Sequence, residues 1–488
     1  VCNGYKDAEF IDLALSSLKM GLQTMLVLEM PGELDLLLER AEKMAVRPRI
    51  GIRVKLASSV GGKWSESGGE SSVFGLTPPQ VIAVIDRLRE RGMLDCLELL
   101  HYHLGSQVPN IREIRDAIYE ASRYYVSLVQ EGAKMGVLDI GGGLAIDYDG
   151  SKCNCATSAN YDVGEYAADV VEGVMAVCNH ADVPHPVLIS ESGRALVGYY
   201  SVLLVNVLST SSFEVPEPPG PVAEPVPEPI RNLMDVAAGL RTRNLREFYN
   251  DAIYYREEIQ KAFKHGDITL RQHAQADRLF WHILTRIRAE IPKLRFVPED
   301  MRNLEDAMAD VYYCNFSVFQ SLPDSWAIDQ LFPIMPIQRL NEKPARLAVL
   351  SDITCDCDGK IDHFVDMRDI RRALPVHAVG PDEDYILAVF LVGAYQETLG
   401  DLHNLLGDTN VASILVDEDG EIEYEQELAG DSVGDVLSYV EYNPQGLLAR
   451  FRELAEVAVR QKRITPTERR EILDAYESGL RGYTYFET

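Results

Sequence analysis

Short apolar runs alternate with amphipathic stretches of helical spacing through residues 1–200, and no other feature of the sequence constrains the fold as strongly. A largely apolar strand followed by a helix is the repeating unit of a parallel sheet covered by helices. A doubly wound sheet and a (β/α)8 barrel both have this order of elements, and periodicity does not choose between them. The expected strands are Thr24–Met30, Arg49–Leu56, Leu97–His103, Val137–Ile140 and Val187–Ser190, and the clearest helices are Pro31–Met44, Pro78–Arg91 and Ile111–Met135.

The composition changes beyond residue 200. Proline recurs through Glu214–Pro229, EVPEPPGPVAEPVPEP, which predicts an extended, solvated linker or a surface loop. From about residue 230 to residue 318, Arg, Leu, Ala and Glu at helical spacing predict an all-helical insert. Strand patterns return at Arg346–Leu350, Tyr385–Gly393 and Ala412–Tyr424, the last broken by a turn at Asp417–Gly420, and helical spacing resumes from about Val433.

A length of 488 residues is enough for two to four domains. The predicted organisation is an α/β domain over residues 1–200, a strand and proline-rich linker over 201–229, a helical insert over 230–320, a β-rich domain over 321–432 and a C-terminal helical region over 433–488.

The balance of charge is strongly acidic, with 47 Lys and Arg against 76 Asp and Glu and a formal net charge of −29. Nucleic acids and anionic membrane surfaces both attract positive charge, so neither is expected as a partner. The balance fits a soluble protein and also one that handles a cationic ligand. The longest apolar runs have about ten residues, about half of what spans a bilayer, and the eight cysteines are few for this length. The sequence therefore predicts a protein of the reducing cytoplasm.

Three glycines follow a predicted strand in VLDIGGG at Val137–Gly143. Glycines at such a place let backbone N–H groups approach an anion closely, as the binding of a phosphate requires. The lysine of a Walker loop is absent, and the spacing is not G-x-G-x-x-G. Taken alone, the segment fits a phosphate-binding loop and a tight strand-to-helix turn equally well.

Polar residues also follow two other predicted strands. His101 and His103, in HYHLGSQ, suit stacking on a flat cofactor, proton transfer or metal binding, but a structural role is commoner for a buried histidine. Glu191 and Arg194, in LISESGR, have two interpretations. They form one salt bridge with each other, or they are a carboxylate for a cationic ring nitrogen and a guanidinium for a phosphate.

Acids and thiols lie close together in DITCDCDG at Asp352–Gly359. The spacing does not fit the calcium loop of an EF-hand. A zinc site shared with Cys153 and Cys155 has little support, because neither Cys-x-Cys pair has the usual two-residue spacing. A thiol beside carboxylates is more consistent with a proton donor in a site for a cationic substrate.

Taken in order, HLGSQ, DIGGGLAIDY, ESGR, TCDCDG and GAYQ resemble the motifs of the fold type III, alanine-racemase-like pyridoxal-phosphate decarboxylases of basic amino acids. Longer stretches are similar to the biosynthetic arginine decarboxylases in particular, and the helical insert suits that branch. The resemblance runs through nearly the whole chain and implies a (β/α)8 barrel that carries the cofactor, with a β-rich domain completing the site. Those stretches are NGYKD at Asn3–Asp7, GGKWSESGGE at Gly61–Glu70 and FQSLPDSWAIDQLFPIMPI at Phe319–Ile337.

The resemblance implies that pyridoxal phosphate binds at the strand ends. His103 would stack on the pyridine ring, and Glu191 would keep the ring nitrogen protonated, which lets the ring accept electrons when CO2 leaves. Ser106, the backbone of the glycine loop and Arg194 would hold the phosphate. The expected cofactor-binding residues are His103, Ser106, Gly141, Gly142, Gly143, Glu191, Arg194 and Tyr395.

The resemblance also implies a homo-oligomer, a dimer that shares its sites or a tetramer of such dimers. Cys355 would reach in from the neighbouring subunit as the catalytic proton donor, and Asp356 would face the cationic end of the substrate. The implied reaction turns L-arginine into agmatine and CO2 at the head of polyamine synthesis, with Mg²⁺ as a further cofactor whose ligands the sequence does not indicate. The expected substrate-binding residues are Leu138, Asp139, Ile140, Gly141, Gly142, Gly143, Leu144, Ala145, Ile146, Asp147, Tyr148 and Asp356.

Two positions depart from the family pattern. The Schiff-base lysine of the family lies upstream of NGYKD, and therefore before Val1, and Lys55 does not occupy the matching position. The sequence is expected to be part of a longer protein, inactive as it stands, with the first barrel strands missing. Relatives usually have Lys before Phe74, where this chain has Val73, and nothing in the sequence explains that substitution.

Two other functions stay open on the sequence alone. The first is decarboxylation of another basic amino acid, such as ornithine, lysine or diaminopimelate. The second is a non-catalytic regulatory homologue that binds a partner and has lost the lysine. A preference for ornithine over arginine would favour the first, and an upstream reading frame with no lysine-bearing strand would favour the second.

Overall fold

Five parallel strands form the first sheet of the computed structural model. The structure describes residues 1–58, 72–222, 224–297, 301, 304–366, 370–380 and 383–487, without the side chains of residues 242 and 305. Each strand lies within the corresponding predicted strand. The stretch GGKWSESGGE lies outside the described residues. In order across the sheet the strands are β1 (Leu26–Leu28), β2 (Ile50–Arg53), β3 (Leu97–His101), β4 (Val137–Asp139) and β5 (Val187–Ile189).

Helices alternate with these strands, as the periodicity predicts. The third helix begins where Thr77 and Gln80 form a capping box and Pro78 takes the first helical position. The apolar faces of the helices and the strands share one hydrophobic core. The helices are α1 (Ala8–Lys19), α2 (Glu33–Met44), α3 (Pro78–Glu90), α4 (Ile111–Gln130), α5 (Val163–Ala181) and α6 (Gly193–Val197).

The sheet is curled so that its two edges approach each other. Cys2 pairs with Leu26 at the β1 edge. The next residue, Asn3, donates from Nδ2 to both carboxylate oxygens of Glu191, just beyond β5 at the opposite edge, at 2.8 and 3.0 Å. In a flat sheet, five spacings of about 4.8 Å would hold these segments roughly 24 Å apart. The curvature is therefore that of a barrel and not of an open doubly wound sheet.

A second sheet of seven strands forms a β domain. The strand order is β10-β9-β7-β6-β12-β8, with β11 also paired to β9. Neighbours are antiparallel except β7 and β9, which are parallel. The strands are β6 (Val202–Ser211), β7 (Asp310–Cys314), β8 (Ile334–Pro336), β9 (Arg346–Ser351), β10 (Lys360–Ile361), β11 (Leu374–Val376) and β12 (Ile386–Phe390).

The helical insert lies between β6 and β7 and has a hydrophobic core of its own. The expectation that helix continues to about residue 318 is wrong, because β7 begins at Asp310. Asp310, Tyr312 and Cys314 are buried in alternation, and β6 and β9 supply hydrogen-bonding partners for the two edges of β7. The insert therefore interrupts the β domain and does not precede it. Its helices are α7 (Glu228–Gly239), α8 (Leu245–His265), α9 (Leu270–Glu290) and the short α10 (Leu304–Ala307).

In the proline-rich segment, residues 214–222 and 224–227 form a surface loop held against α9, and α7 begins at Glu228. The N–H of Val215 donates to the hydroxyl of Thr285 at 3.0 Å. Nε2 of Gln272 donates to the carbonyl of Pro225 at 2.9 Å. Of the two predicted forms, the surface loop is the one found, because side chains of α9 satisfy backbone groups that proline leaves without helix or sheet partners.

The remainder of the chain is a hairpin followed by helices. The hairpin turns at Asp417–Gly420, where the sequence predicts a turn. The rings of Phe451 and Tyr476 stack at 4.1 Å where the last two helices pack together. In the described part of the chain every helix is too short or too polar to cross a membrane, and all eight cysteines are free. These elements are α11 (Val318–Ser321), α12 (Pro323–Ile328), β13 (Val411–Val416), β14 (Ile422–Leu428), α13 (Val433–Tyr439), α14 (Pro444–Arg460) and α15 (Pro466–Arg481).

Candidate active site

Polar side chains stand at or just beyond the carboxyl end of each strand of the parallel sheet. Parallel strands end at one common edge, and in (β/α)8 barrels that edge carries the catalytic groups. The sequence predicted three of these groups, after β3, β4 and β5, and the structure brings them together. The groups are Glu29 after β1, Arg53 in β2, His101 and His103 at β3, Asp139 and the glycines at β4, and Glu191 and Arg194 after β5.

Arg194 lies at the centre of a polar group in the interior, with 5% of its surface exposed. Its Nε donates to Ser106 Oγ at 3.3 Å, and its Nη1 donates to the Tyr148 hydroxyl at 3.0 Å. The guanidinium carbon lies 5.0 Å from the centre of the Tyr395 ring. No carboxylate of the described residues lies within ion-pair range of Arg194, so the salt bridge with Glu191 that the sequence allowed is wrong. A buried guanidinium that has no carboxylate partner offers the hydrogen-bond donors that a bound anion requires.

The glycine loop turns sharply beneath His103. Gly141 and Gly143 have φ angles of +63° and +113°, which L side chains rarely adopt. A Cβ on Gly141 would lie 2.4 Å from the carbonyl oxygen of Tyr102, and one on Gly142 would lie 3.2 Å from the imidazole Cε1 of His103. The glycines therefore let the loop run directly against the strand end and the imidazole ring.

His103 is neutral at physiological pH. Burial, followed by the positive charges of Arg53 and His101, lowers the pKa of His103 to about 4. The N–H of Gly142 donates to Nδ1 of His103 at 3.3 Å, which assigns the ring proton to Nε2. A flat, uncharged ring at a strand end has the shape and charge to stack on an aromatic cofactor.

Glu191 shares a cluster with Asp139 and His101, whose Nδ1 lies 3.2 Å from Asp139 Oδ2. His101 and Asp139 are both buried, and Asp139 Oδ1 accepts the N–H of Gly141 at 3.0 Å. Partial burial and the charge of Asp139 raise the pKa of Glu191, while His101 and the amide of Asn3 oppose that rise. The result is a carboxylate with one firm donor, Asn3, and a side open to solvent.

The loop with Cys355 is rigid at its base and exposed at its tip. Asp352 is buried and accepts the N–H of Val318 at 2.9 Å and the hydroxyl of Thr354 at 2.6 Å. Cys355 is exposed, and its N–H donates to Asn404 Oδ1 at 2.9 Å. The carboxylate of Asp356 contacts the imidazole of His403. These contacts hold the loop within its own domain and do not join it to the His103 group of the same chain.

The zinc alternative fails within the described residues. The cluster of three potential ligands there is formed by His101, Asp139 and Glu191, with ligand atoms within 4.8 Å of one another. Cys155 instead contacts Asp149, with its thiol 3.5 Å from Oδ2, and Cys153 accepts the hydroxyl of Ser151 at 3.1 Å. The two Cys-x-Cys pairs therefore do not share a metal site.

The expected substrate segment, residues 138–148, passes from one hydrophobic core into the other. Gln107 holds it by reciprocal hydrogen bonds with Ile146, donating to its carbonyl at 2.6 Å and accepting its N–H at 2.9 Å. The segment therefore offers a ligand its backbone and Asp147 more readily than its apolar side chains. The side chains that lie in the two cores are Leu138, Ile140, Leu144, Ile146 and Tyr148.

Sequence reasoning missed three polar residues at this edge, Asn3, Glu29 and Arg53. Glu29 is 1% exposed, and its Oε2 accepts from Arg53 Nη1 at 3.0 Å. Glu29 and Arg53 both stand at the end of an apolar strand, and this position in the sequence could have indicated that they belong to the site. Asn3 had no such signal, because its partner lies 188 residues away.

Comparison with known proteins agrees with this geometry. Residues 1–198 match the model of the pyridoxal-binding domain of pyridoxal-dependent decarboxylases, residues 223–305 the arginine decarboxylase helical bundle domain, and residues 433–486 the arginine decarboxylase C-terminal helical extension. The biosynthetic arginine decarboxylase of Bacteroides thetaiotaomicron is 46% identical over 100% of this chain and 77% of its own length. That of Gloeobacter violaceus is 46% identical over 99% of this chain and 76% of its own length.

This chain belongs to the biosynthetic arginine decarboxylase family. The crystal structure of the biosynthetic arginine decarboxylase from Campylobacter jejuni has a TM-score of 0.86 and 32% identity, covering 100% of this chain and 77% of that one. Diaminopimelate decarboxylase from Helicobacter pylori, complexed with L-lysine, has a TM-score of 0.55 and 13% identity over 90% of this chain and 77% of its own, which shows the fold alone. The expected fold, a (β/α)8-type barrel with a β domain and helical additions, is confirmed.

Val73, where the family resemblance implies a lysine, precedes a residue that lies beside Arg53. Val73 is 84% exposed, although a valine side chain would gain from burial. The next residue, Phe74, has its ring centre 5.7 Å from the guanidinium carbon of Arg53. Nothing in the structure explains why a valine stands at this position.

Proposed function

We propose that this protein is a pyridoxal-phosphate-dependent decarboxylase that converts L-arginine to agmatine and CO2 at the head of polyamine synthesis. The observation that carries the proposal is the buried guanidinium of Arg194, which has hydroxyl partners but no carboxylate among the described residues. Such a cation is costly to bury unless an anion joins it, and a phosphate fits. Membership of the biosynthetic arginine decarboxylase family supports arginine as the substrate.

The residues at the strand ends fit pyridoxal phosphate by their donor chemistry. Arg194, Ser106 and the backbone of Gly141–Gly143 would hold the phosphate, and Tyr395 would close that side of the site. When bound, the cofactor supplies an electron sink for the electron pair that CO2 leaves behind.

The opposite end of the site would orient the ring. His103 would lie against the ring face, and its low pKa keeps it uncharged there. Glu191 would hold a proton on the ring nitrogen, for which its carboxylate must be ionised. A cation placed against Glu191 would itself favour that ionised form.

Cys355 and Asp356 would act in the site of the neighbouring subunit of a homodimer, or of a tetramer built from dimers. Cys355 would give a proton to the carbon that has lost CO2, and Asp356 would face the guanidinium of arginine. The exposure of Cys355 on a loop anchored by Asp352 supports this role, since such a loop can enter a partner without refolding. Free thiols also support a cytoplasmic location.

The substrate would approach along residues 138–148. The glycine loop and the backbone up to Tyr148 line the strand-end edge on the side of Arg194. Asp147, the residue before Tyr148, is the last carboxylate of this segment. It accepts a hydrogen bond from the hydroxyl of Ser158 at 2.6 Å. The apolar side chains of the segment would fix the course of its backbone by packing in the two hydrophobic cores.

Magnesium, implied by the family resemblance, has no ligand set assigned among the described residues. The cluster of His101, Asp139 and Glu191 offers an imidazole with two carboxylates, at the place where Glu191 would serve the ring nitrogen. Mg²⁺ prefers six oxygen ligands in octahedral geometry, several of them water. No step of the proposed reaction is assigned to a metal.

The test is a substrate comparison with the complete gene product loaded with pyridoxal phosphate. We expect kcat/KM for arginine to exceed that for ornithine, lysine and diaminopimelate by about tenfold or more, because one buried polar contact gives that much discrimination. A preference for ornithine would contradict the substrate assignment. The lack of any borohydride-sensitive absorbance band from bound cofactor would contradict the enzyme class. Arg194→Gln should lose cofactor affinity, whereas Arg470→Gln, on the exposed surface of α15, should not.

A further inference from the structure

Two cysteines, Cys153 and Cys155, lie together in the loop between β4 and α5, and the proposed function uses neither of them. The backbone bends at residues 153–155. The hydroxyl oxygen of Ser151 lies 3.1 Å from the sulfur of Cys153 and 3.9 Å from the sulfur of Cys155. One side chain therefore contacts both thiols, and the two sulfur atoms face the same small space.

Cys153 is the thiol of this pair that ionises more readily. The thiol of Cys155 and the hydroxyl of Ser151 donate to its sulfur, and the N–H of Cys155 is a third donor. These donors lower the pKa of Cys153, although partial burial and the charge of Asp149 oppose the change. The thiolate is the nucleophilic form of cysteine, so Cys153 is the more reactive of the two thiols.

Cys155 has the opposite character. Partial burial and the hydrogen bond to Cys153 raise the pKa of Cys155, while Thr157 and Ser151 oppose the rise. Its sulfur lies 3.5 Å from Oδ2 of Asp149, to which the thiol donates. A nucleophilic thiol beside a second, protonated thiol is suited to exchange with disulfides, because the first thiol attacks and the second resolves the mixed disulfide.

The loop is open to solvent, and local contacts hold its shape. Lys152 and Asn154, on either side of Cys153, are exposed, so a small molecule can reach the sulfur of Cys153. The hydroxyl of Ser158 donates to Asp147 at 2.6 Å and accepts the N–H of Cys153 at 3.2 Å. These contacts join residues 11 or fewer positions apart, so the arrangement of the thiols is a property of the loop itself.

We propose that Cys153 and Cys155 form a thiol–disulfide exchange site whose substrate is a low-molecular-weight disulfide. The thiolate of Cys153 attacks one sulfur of that disulfide and releases the first thiol, which takes up the proton that Cys153 lost. The thiol of Cys155 then attacks the sulfur of Cys153 and passes its proton to the second thiol as that thiol leaves. The two cysteines are oxidised to one disulfide, and the external disulfide is reduced to two thiols.

The exchange is reversible. An excess of thiol attacks the bond between Cys153 and Cys155 and returns both side chains to the reduced form. The site would therefore respond to the ratio of disulfide to thiol around the protein. The inference does not rest on the proposed decarboxylation, because no step of the exchange involves the cofactor site.

The experiment treats the complete gene product with glutathione disulfide, alkylates the remaining thiols and locates the products by mass spectrometry of proteolytic peptides. In the wild type we expect a disulfide between Cys153 and Cys155, which disappears when excess reduced glutathione is added. The control is Cys357→Ser, in the other Cys-x-Cys pair, which should leave this reaction unchanged. If both cysteines are alkylated after the treatment, or if both carry stable glutathione adducts, the inference is wrong.

Two single variants test the assigned roles. Cys155→Ser should stop at a mixed disulfide between Cys153 and glutathione, because the resolving thiol is absent. In Cys153→Ser, the remaining Cys155 should form its glutathione adduct about tenfold more slowly than Cys153 does in Cys155→Ser, because less of it is thiolate. Equal rates in the two variants would overturn the assignment of Cys153 as the attacking thiol. These assays follow thiols and not CO2, so their failure and a failure of the proposed function are distinguishable.

Discussion

Arg194 and Tyr148 are joined by a hydrogen bond of 3.0 Å from the guanidinium to the phenol oxygen. Arg194 follows the last strand of the barrel sheet, whereas Tyr148 is packed in the core of the β domain with its ring 5.6 Å from that of Phe332. The cation proposed to hold the phosphate is thus aligned by a residue anchored in the other domain. Packing in the β domain therefore positions the hydroxyl that orients the guanidinium of Arg194.

The first prediction concerns this contact. Tyr148→Phe keeps the ring and removes the acceptor of the Arg194 N–H, so one donor of a buried guanidinium loses its partner. We expect the Kd for pyridoxal phosphate to rise about tenfold with little change in melting temperature. Tyr254→Phe, on the exposed surface of α8, is the matched control. An unchanged Kd in Tyr148→Phe would show that the hydroxyl does not orient Arg194.

The second prediction concerns the glycine loop. Gly141→Ala adds a Cβ at positive φ, where it would meet the carbonyl of Tyr102 at 2.4 Å. Gly150→Ala also has positive φ, +72°, but nothing lies within 4 Å. We expect the control to lose about 1 kcal/mol in free energy of unfolding and Gly141→Ala about 3 kcal/mol or more, because steric displacement adds to the conformational cost. Urea unfolding measures both, and equal losses would argue against the close approach.

The third prediction concerns pH. The pKa of His103 is lowered from 6.5 to about 4, so between these values the unfolded chain binds a proton that the folded chain does not. The stability contributed by neutral His103 is therefore fully present above pH 6.5 and lost as pH falls towards 4. His103→Gln should reduce the slope of unfolding free energy against pH in that window by up to about 1.4 kcal/mol per unit.

The control for the pH experiment is His265→Gln, at the exposed end of α8. Denaturant titrations at several pH values give the slope for each variant. A His103→Gln slope equal to that of the wild type would mean that His103 is protonated in the folded protein.

The fourth prediction tests the shared site. Cys355→Ala and Arg194→Ala should each be inactive, because one lacks the proposed proton donor and the other the proposed phosphate ligand. In a mixture that exchanges subunits, half of the dimers would be hybrids, each with one intact site, so about a quarter of wild-type activity should return. Cys357→Ala, which changes a neighbouring exposed thiol, is the control. Subunit exchange without recovery of activity would place Cys355 and Arg194 in the same site of one chain.

Local patterns were predicted well where the cause is local. The predicted helix Pro78–Arg91 is found at Pro78–Glu90, because the capping box of Thr77 and Gln80 is formed by residues three apart. The strand β7 was missed because its short alternation follows a long helical stretch. Only its position between β6 and β9 makes it a strand.

The site was predicted only in part, because local motifs mark its polar residues but do not reveal partners that are distant in the chain. Motifs after apolar strands marked Glu191, Arg194 and the glycine loop, because parallel strands place such residues at one edge. The pairing of Glu191 with Arg194 was the wrong alternative. Their partners, Asn3 for one and Tyr148 for the other, lie 188 and 46 residues away in the chain.

The sequence by itself determined the family, the alternation of strands and helices, and the set of polar residues that end the strands. These follow from periodicity and from motifs, which are properties of neighbouring residues. Only the tertiary structure decided that the sheet curls until Asn3 meets Glu191, and that a buried Arg194 has hydroxyl groups and no carboxylate around it within the described residues. The physical reason is that charge pairing and pKa depend on which groups share a desolvated space, and curvature of the sheet and packing of the two domains create that space.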